Sequence, residues 1–150
     1  MSIRSKLTTS AVVVSLATGG LLLSAAPSYA STTYDGACGS GYAVIDSMSA
    51  DVTGFYDGTV FLTYNASNGY NCVVTQTATP GTAALLITMI ELSGTNTTWN
   101  EDEGTYKYYA GPRYVYAPHS CIDWGGAVAA ADWGPIADLP LNIEWNSHCS

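Results

Sequence analysis

Residues 59–76 read TVFLTYNASNGYNCVVTQ, and this stretch decides the fold class. Two runs rich in β-branched and aromatic residues, 59–64 and 71–76, flank the polar segment 65–69. Such runs fit the pleated, half-buried surface of a sheet, and a five-residue polar loop that ends in glycine is a good hairpin connector. The stretch therefore predicts an antiparallel β-hairpin.

The alternation of side chains along a strand predicts which residues of this hairpin face the core. Val60, Leu62 and Tyr64 would point to one side of the sheet. Across the pair, Cys72 and Val74 could share that inner face. The hairpin is thus expected to direct a cysteine into the apolar core.

Further short strands are predicted along the chain, separated by glycine and proline turns. They span residues 42–46, 84–92, 105–109, 113–116, 121–130 and 141–145. Helix formers occur in 84–92, but the β-branched Ile87, Thr88 and Ile90 favour a strand there. Residues 127–132 could instead form one helical turn. Eight or so short strands with turns between them predict an all-β fold, a small antiparallel sandwich or partly closed barrel.

The N-terminal segment has the pattern of an export signal. A short basic start is followed by a mostly apolar run over residues 11–26 and by the small-x-small cleavage site Ser28-Tyr29-Ala30. Polar residues and glycines interrupt the run, which is shorter than the roughly 20 apolar residues that a membrane span requires. We therefore expect residues 1–30 to be a secretory signal peptide and residues 31–150 to be a single secreted, disulfide-bonded β domain.

The chain beyond the predicted signal is strongly acidic. Lys107 and Arg113 are its only basic side chains, apart from histidine, against twelve acidic residues, so two minus twelve gives a formal charge of −10. An acidic surface without a Lys/Arg cluster repels phosphate backbones and anionic lipids. We expect no nucleic-acid partner and no membrane partner after signal removal. The charge is compatible with a wall polymer, a polysaccharide, a cation or another protein as a partner.

Four cysteines follow the predicted cleavage site: Cys38, Cys72, Cys121 and Cys149. His119 and His148 lie close to cysteines, so a metal or redox site can be considered. However, no Cys-x-x-Cys is present, and an even number of cysteines in an exported chain favours disulfides. Of the three possible pairings, the sequential one is favoured, because each bridge then staples a local segment. Each bridge would close a loop of about thirty residues and would thereby stabilise the fold by roughly 3–4 kcal/mol.

The sequence contains no complete catalytic motif. Ser40 lacks the outer glycines of a nucleophile elbow. Pairs of carboxylates for glycoside hydrolysis can be drawn from any chain with this many acids. Asn100, Asp102 and Gly104 resemble fragments of a calcium loop, but a solvated acidic turn explains them better. We expect no enzymatic activity, no metal and no cofactor.

Aromatic residues carry the remaining functional signal. The sequence has eleven tyrosines and four tryptophans but two phenylalanines, and Tyr106, Tyr108, Tyr114 and Tyr116 occupy alternate positions. Because Tyr and Trp have one polar end, they suit contact surfaces and could stack on sugars. Tyr108 and Trp124 are the candidate ligand-binding residues. The alternative is that the aromatic rings cover the edges of the core.

Five ordered blocks of the sequence resemble the spore-associated protein A family of filamentous, sporulating bacteria. They are residues 34–42 (YDGACGSGY), 60–65 (VFLTYN), 71–75 (NCVVT), 109–112 (YAGP) and 121–126 (CIDWGG). The resemblance runs from residue 34 to residue 149 and implies export and association with the spore or cell surface. It therefore implies a cell-wall or spore-surface polymer or protein as the partner. It implies no catalytic residues. Arg113 departs from the family pattern, in which an apolar residue is expected.

The sequence thus predicts a secreted, non-enzymatic protein that is associated with the spore or cell surface. The first alternative is a glycan- or wall-binding module that uses exposed Tyr and Trp side chains. The second is an exported protease inhibitor or small hydrolase, and an inhibitor would present the 118–120 turn beside Cys121.

Overall fold

A computed structural model describes residues 33–95 and 98–149, and the predicted signal peptide 1–30 lies outside the described residues. The described chain forms eight β-strands and one 3₁₀ turn, Ile136–Asp138. The strands are β1 (Ala43–Ser49), β2 (Gly58–Asn65), β3 (Tyr70–Thr77), β4 (Ala84–Leu92), β5 (Asn100–Tyr106), β6 (Tyr109–Tyr116), β7 (Ile122–Ala130) and β8 (Asn142–Ser147). No described segment forms a helix of the length and hydropathy that crossing a membrane requires.

The strands form two four-stranded antiparallel sheets that pack face to face. Sheet A has the order β1-β2-β3-β6, and sheet B has the order β5-β4-β7-β8. On one side of the molecule, β6 packs across β4 and β5 and joins the two sheets. On the opposite side, β1 and β8 are the edge strands. The prediction of an all-β antiparallel sandwich is confirmed.

The core lies between the sheets and receives apolar side chains from both. It includes Val60, Leu62, Val73, Leu86, Ile90, Ile122, Trp124 and Val128. Strands β3, β4 and β7 are also buried on their outer faces. Strands β4 and β7 accordingly read as mostly apolar runs rather than alternating ones, whereas β3 buries several polar side chains. The strand predicted for Ala84–Leu92 is confirmed. The helical turn considered for 127–132 is wrong, because β7 stays paired with β4 through Ala130.

The predicted inner face of the β2–β3 hairpin is confirmed for Val60 and Leu62 of β2, which lie in the core, but it is wrong by one residue of register for β3. Strand β2 extends to Asn65, which pairs with Tyr70, so the loop has four residues and Leu62 lies opposite Val73 instead of Cys72. The Asn65 carbonyl accepts the Gly69 N–H at 2.9 Å and keeps the loop short. Because side chains alternate with a period of two, this shift places Cys72 on the outer face of sheet A.

Both predicted disulfides are confirmed. Cys38–Cys72 joins the segment before β1 to the outer face of β3, and Cys121–Cys149 joins the residue before β7 to the segment after β8. The described cysteines are all bridged. The first bridge therefore fixes a cover over sheet A, whereas the second fixes the end of the chain at the edge of sheet B.

The β5–β6 region differs from the sequence prediction in three ways. Residues 101–103 lie in β5 rather than in an acidic turn, and the strand predicted for 105–109 is interrupted by a turn after Tyr106. Gly111 and Pro112 lie inside β6 instead of ending a strand. They are accommodated because the Gly111 N–H donates to Asp102 Oδ2 at 2.7 Å, so a side chain on β5 supplies its acceptor.

Candidate functional site

Three titratable side chains meet at the side of the sandwich where β1 and β8 form the edges. Asp46 on β1, Glu144 on β8 and His148 just beyond β8 are here called the edge cluster. Their donor atoms all lie within 4.8 Å of one another, and His148 Nε2 is 3.0 Å from Asp46 Oδ2. The Asp46 side chain is 38% exposed and that of His148 is 25% exposed. The edge cluster is therefore half-buried but accessible to small solutes.

Irregular backbone orients the edge cluster. The pairing of β1 with β2 shifts between Val44 and Asp46, and such bulges redirect side chains. A second shift lies in β8, where the Asn146 N–H donates to Asp123 Oδ1 at 2.6 Å. Asn146 and His148 have φ angles of 53° and 54°, a conformation uncommon for residues other than glycine. Both edge strands thus depart from regular geometry where the cluster lies.

Packing also restrains His148. Its imidazole lies against the buried indole of Trp124, with ring centroids 6.4 Å apart and an interplanar angle of 59°. The next residue, Cys149, is covalently bound to Cys121. A ring held from two sides keeps its orientation toward Asp46, so the imidazole is positioned before any ligand arrives.

Depressions in the surface flank the edge cluster along the same edge. One of about 440 Å³ is lined by Met48, Ser49, Leu141, Asn142, Ile143 and Glu144. Another of about 230 Å³ is lined by Ile45, Tyr64, Asn71, Ala117 and His148. Because each depression includes a member of the cluster, the three side chains lie between two spaces that can hold water or a small ligand.

The outer face of sheet A carries a group of aromatic rings with a structural role. Tyr34 packs against Phe61, and Tyr42 packs against Tyr114, both with ring centroids 5.6 Å apart. The Tyr34 hydroxyl accepts the Cys38 N–H at 2.8 Å, and the Tyr114 hydroxyl donates to the Cys38 carbonyl at 3.2 Å. Burial raises the pKa of both phenols. These tyrosines hold the first disulfide in place.

Asp102 is the centre of a network that joins β5 to β6. Its carboxylate accepts hydrogen bonds from the Tyr106 hydroxyl at 3.1 Å, from Arg113 Nη2 at 3.0 Å and from the Gly111 N–H. Burial, and then the contact with Asp102, raises the pKa of Tyr106. Asp102 is thus committed to structure, and the fragment that resembled a calcium loop is explained by strand pairing. Arg113, the departure from the family pattern, has Asp102 as its partner.

A tryptophan pair on sheet B combines a partly buried ring with an exposed one. The rings of Trp99, just before β5, and Trp145, on β8, meet edge to face with centroids 5.8 Å apart and an interplanar angle of 71°. Trp99 also packs against the apolar cluster that includes Met89 on β4. Trp145 is 61% exposed. We call Trp99 and Trp145 the indole platform, because one ring supports the other and leaves a large aromatic surface in water.

The two predicted ligand-binding residues do not form one site. Tyr108 is 60% exposed in the turn between β5 and β6. The prediction that Trp124 binds a ligand is wrong. Its exposure is 0% and its indole N–H donates to Ser147 Oγ at 3.1 Å, so it is a core residue that cannot stack on a ligand. The two residues are also far apart. Tyr106, two residues before Tyr108, pairs with Ala84 on β4, whereas Trp124 pairs with Ile90. Ala84 and Ile90 are six positions apart on this strand, which corresponds to about 20 Å.

Sequence reasoning missed both features that the structure brings forward. Asp46 and His148 are 102 residues apart, and no spacing in the chain links them to Glu144. Trp145 was predicted at the end of a strand, but nothing marked its exposure. The one available signal was the rarity of basic residues. With so few Lys and Arg side chains, the two histidines are among the few groups that can pair with a carboxylate.

The chain is similar to a curated protein from a sporulating bacterium. It is 43% identical over 106 residues to "Spore-associated protein A" of Streptomyces coelicolor, and the aligned stretch covers 69% of this chain. It spans 64% of the length of that relative, slightly less than two thirds. No family model and no solved structure matches the chain. On the strength of this relative, the chain belongs to the spore-associated protein A family.

Proposed function

We propose that this protein is an exported, non-enzymatic component of the spore or cell surface, where it binds a glycan polymer through the indole platform. The name of the relative in Streptomyces coelicolor supports the spore-related location. The exposed indole of Trp145 is the observation that carries the binding activity. Export is proposed because residues 1–30 have the pattern of a secretory signal peptide.

The geometry of the platform suits a sugar ring. An exposed tryptophan offers a flat apolar face, and the edge-to-face contact with Trp99 contributes about 0.5–1.5 kcal/mol toward holding it in one orientation. Glu101 on β5 offers a carboxylate that can accept hydrogen bonds from sugar hydroxyls. It is exposed, and it pairs with Met89 of the apolar cluster against which Trp99 packs. A ring that is already ordered loses little conformational entropy when a ligand binds.

The acidic charge narrows the choice of polymer. With twelve acidic residues and four basic ones in the whole chain, the protein repels polyanions. A neutral or amino-sugar wall polysaccharide is therefore a better ligand than a phosphate-rich polymer. Binding by stacking and hydrogen bonds should also persist at high salt, since it does not depend on ion pairs.

The proposal is tested by binding the purified protein to washed spores and cells, followed by elution with salt, detergent or soluble wall glycans. Trp145→Ala should weaken retention about tenfold, since stacking on an aromatic ring is worth on the order of 1–3 kcal/mol where it has been measured for nucleobases. Trp133→Ala is the matched control, because Trp133 is an exposed tryptophan beyond the opposite end of β7. Equal retention of the two variants would contradict the platform. If the unaltered protein binds neither spores nor cells, the proposal fails, and protease-inhibition and hydrolase assays test the alternative functions.

A further inference from the structure

We infer that the edge cluster is a binding site for a divalent transition cation of the zinc type. Asp46, Glu144 and His148 supply one imidazole nitrogen and two carboxylate groups from opposite sheets of the sandwich. The indole platform plays no part in this site, so the inference is independent of the proposed function.

The donor set matches the ligand preference of zinc. Zinc binds imidazole nitrogen and carboxylate oxygen at about 2.0–2.2 Å, which places ligands of one tetrahedral ion roughly 3.3–3.5 Å apart. The 3.0 Å between His148 Nε2 and Asp46 Oδ2 is close to that separation, and the whole set spans at most 4.8 Å. A modest rotation of half-exposed side chains closes the difference. Calcium and magnesium prefer all-oxygen sites, so the imidazole favours a transition ion.

Charge balance also points to a cation. An ion pair between His148 and Asp46 would neutralise one carboxylate of the cluster, and Glu144 places a second beside it. The two basic side chains of the described chain lie elsewhere: Arg113 pairs with Asp102, and Lys107 lies in the β5–β6 turn. Two carboxylates held this close repel each other, and a bound divalent ion removes that repulsion.

The surroundings leave room for an ion with open coordination positions. Three protein ligands leave one tetrahedral position, and the depressions of about 440 and 230 Å³ provide space for water or an anionic group there. The restraint of His148 by Trp124 and by the Cys149 bridge lowers the conformational cost of binding. An ion at this position would join the two edge strands of the sandwich.

The test measures zinc binding by the full chain with both disulfides formed. Free thiols are first quantified, so that zinc held by reduced cysteines is not counted. Isothermal titration and metal analysis after dialysis should show one zinc per chain. His148→Ala and Glu144→Gln should each weaken binding at least tenfold, because even loss of an outer-shell partner commonly costs 10–100-fold. Glu144→Gln retains the side-chain shape, so it keeps the test valid if His148→Ala folds poorly.

His119→Ala is the matched control, because His119 also neighbours a bridge cysteine but lies outside the edge cluster. It should bind zinc like the unaltered protein, and zinc should raise the midpoint of thermal unfolding for both but not for His148→Ala. Absence of stoichiometric zinc in the unaltered protein would overturn the inference. Equal affinity in Glu144→Gln, or the same loss in His119→Ala as in His148→Ala, would also overturn it.

Discussion

Asp102→Ala is expected to destabilise the sandwich by about 3 kcal/mol, because one carboxylate satisfies three donors on two strands. Hydrogen bonds to a charged group contribute roughly 1.5–3 kcal/mol, and the Gly111 N–H at 2.7 Å would be left without its acceptor. The ion pair with Arg113 is partly exposed and adds at most about 1 kcal/mol. The contributions are not additive, which places the total near the upper end of a single charged hydrogen bond.

The assay is urea and thermal unfolding of the disulfide-intact protein, followed by circular dichroism. For a domain of this size, about 3 kcal/mol corresponds to a drop of roughly 10 °C in Tm. Glu103→Ala is the control, since Glu103 is an exposed acid on the same strand and its loss should change stability by less than about 0.5 kcal/mol. Asp102→Asn should give an intermediate value, because it keeps an acceptor but loses the charge. If Asp102→Ala and Glu103→Ala unfold at the same urea concentration, the network does not stabilise the β5–β6 pairing and the reasoning is refuted.

Two further predictions concern partly buried tyrosines and a close strand contact. Burial raises the pKa of Tyr34 and Tyr114 above the ordinary 10.0, so the folded state holds these protons more tightly than the unfolded chain. Their stabilising effect is present below pH 10 and lost as the pH rises through the raised values; alkaline unfolding should therefore be less steep in a Tyr34→Phe/Tyr114→Phe variant, and an unchanged slope would contradict this. In Gly126→Ala, a Cβ would overlap the carbonyl oxygen of Ile87, so expression of folded protein should fall sharply, whereas Gly134→Ala, with open space around it, should fold normally.

The strands could be predicted from the sequence because the signal is local. Ala84–Leu92 combines β-branched residues with flanking turns, and its predicted bounds agree with the structure. The disulfide pairing also followed from order along the chain. The inner face of β3 was mispredicted, because one residue of loop length decides the register and Asn65 remains in the strand.

The sites depended on distances that the sequence does not contain. Trp124 and Trp145 are both strand tryptophans, yet one is fully buried and the other is 61% exposed, because their strands differ in depth and face. The edge cluster joins residues about a hundred positions apart across two sheets. Composition, charge, cysteine order and residue pattern determined by themselves that this is an acidic, disulfide-stapled β domain. The family came from the resemblance of five sequence blocks and from the similar Streptomyces protein. Only the packing of the two sheets decided which aromatic rings and carboxylates meet at the surface, because that depends on strand register and sheet order.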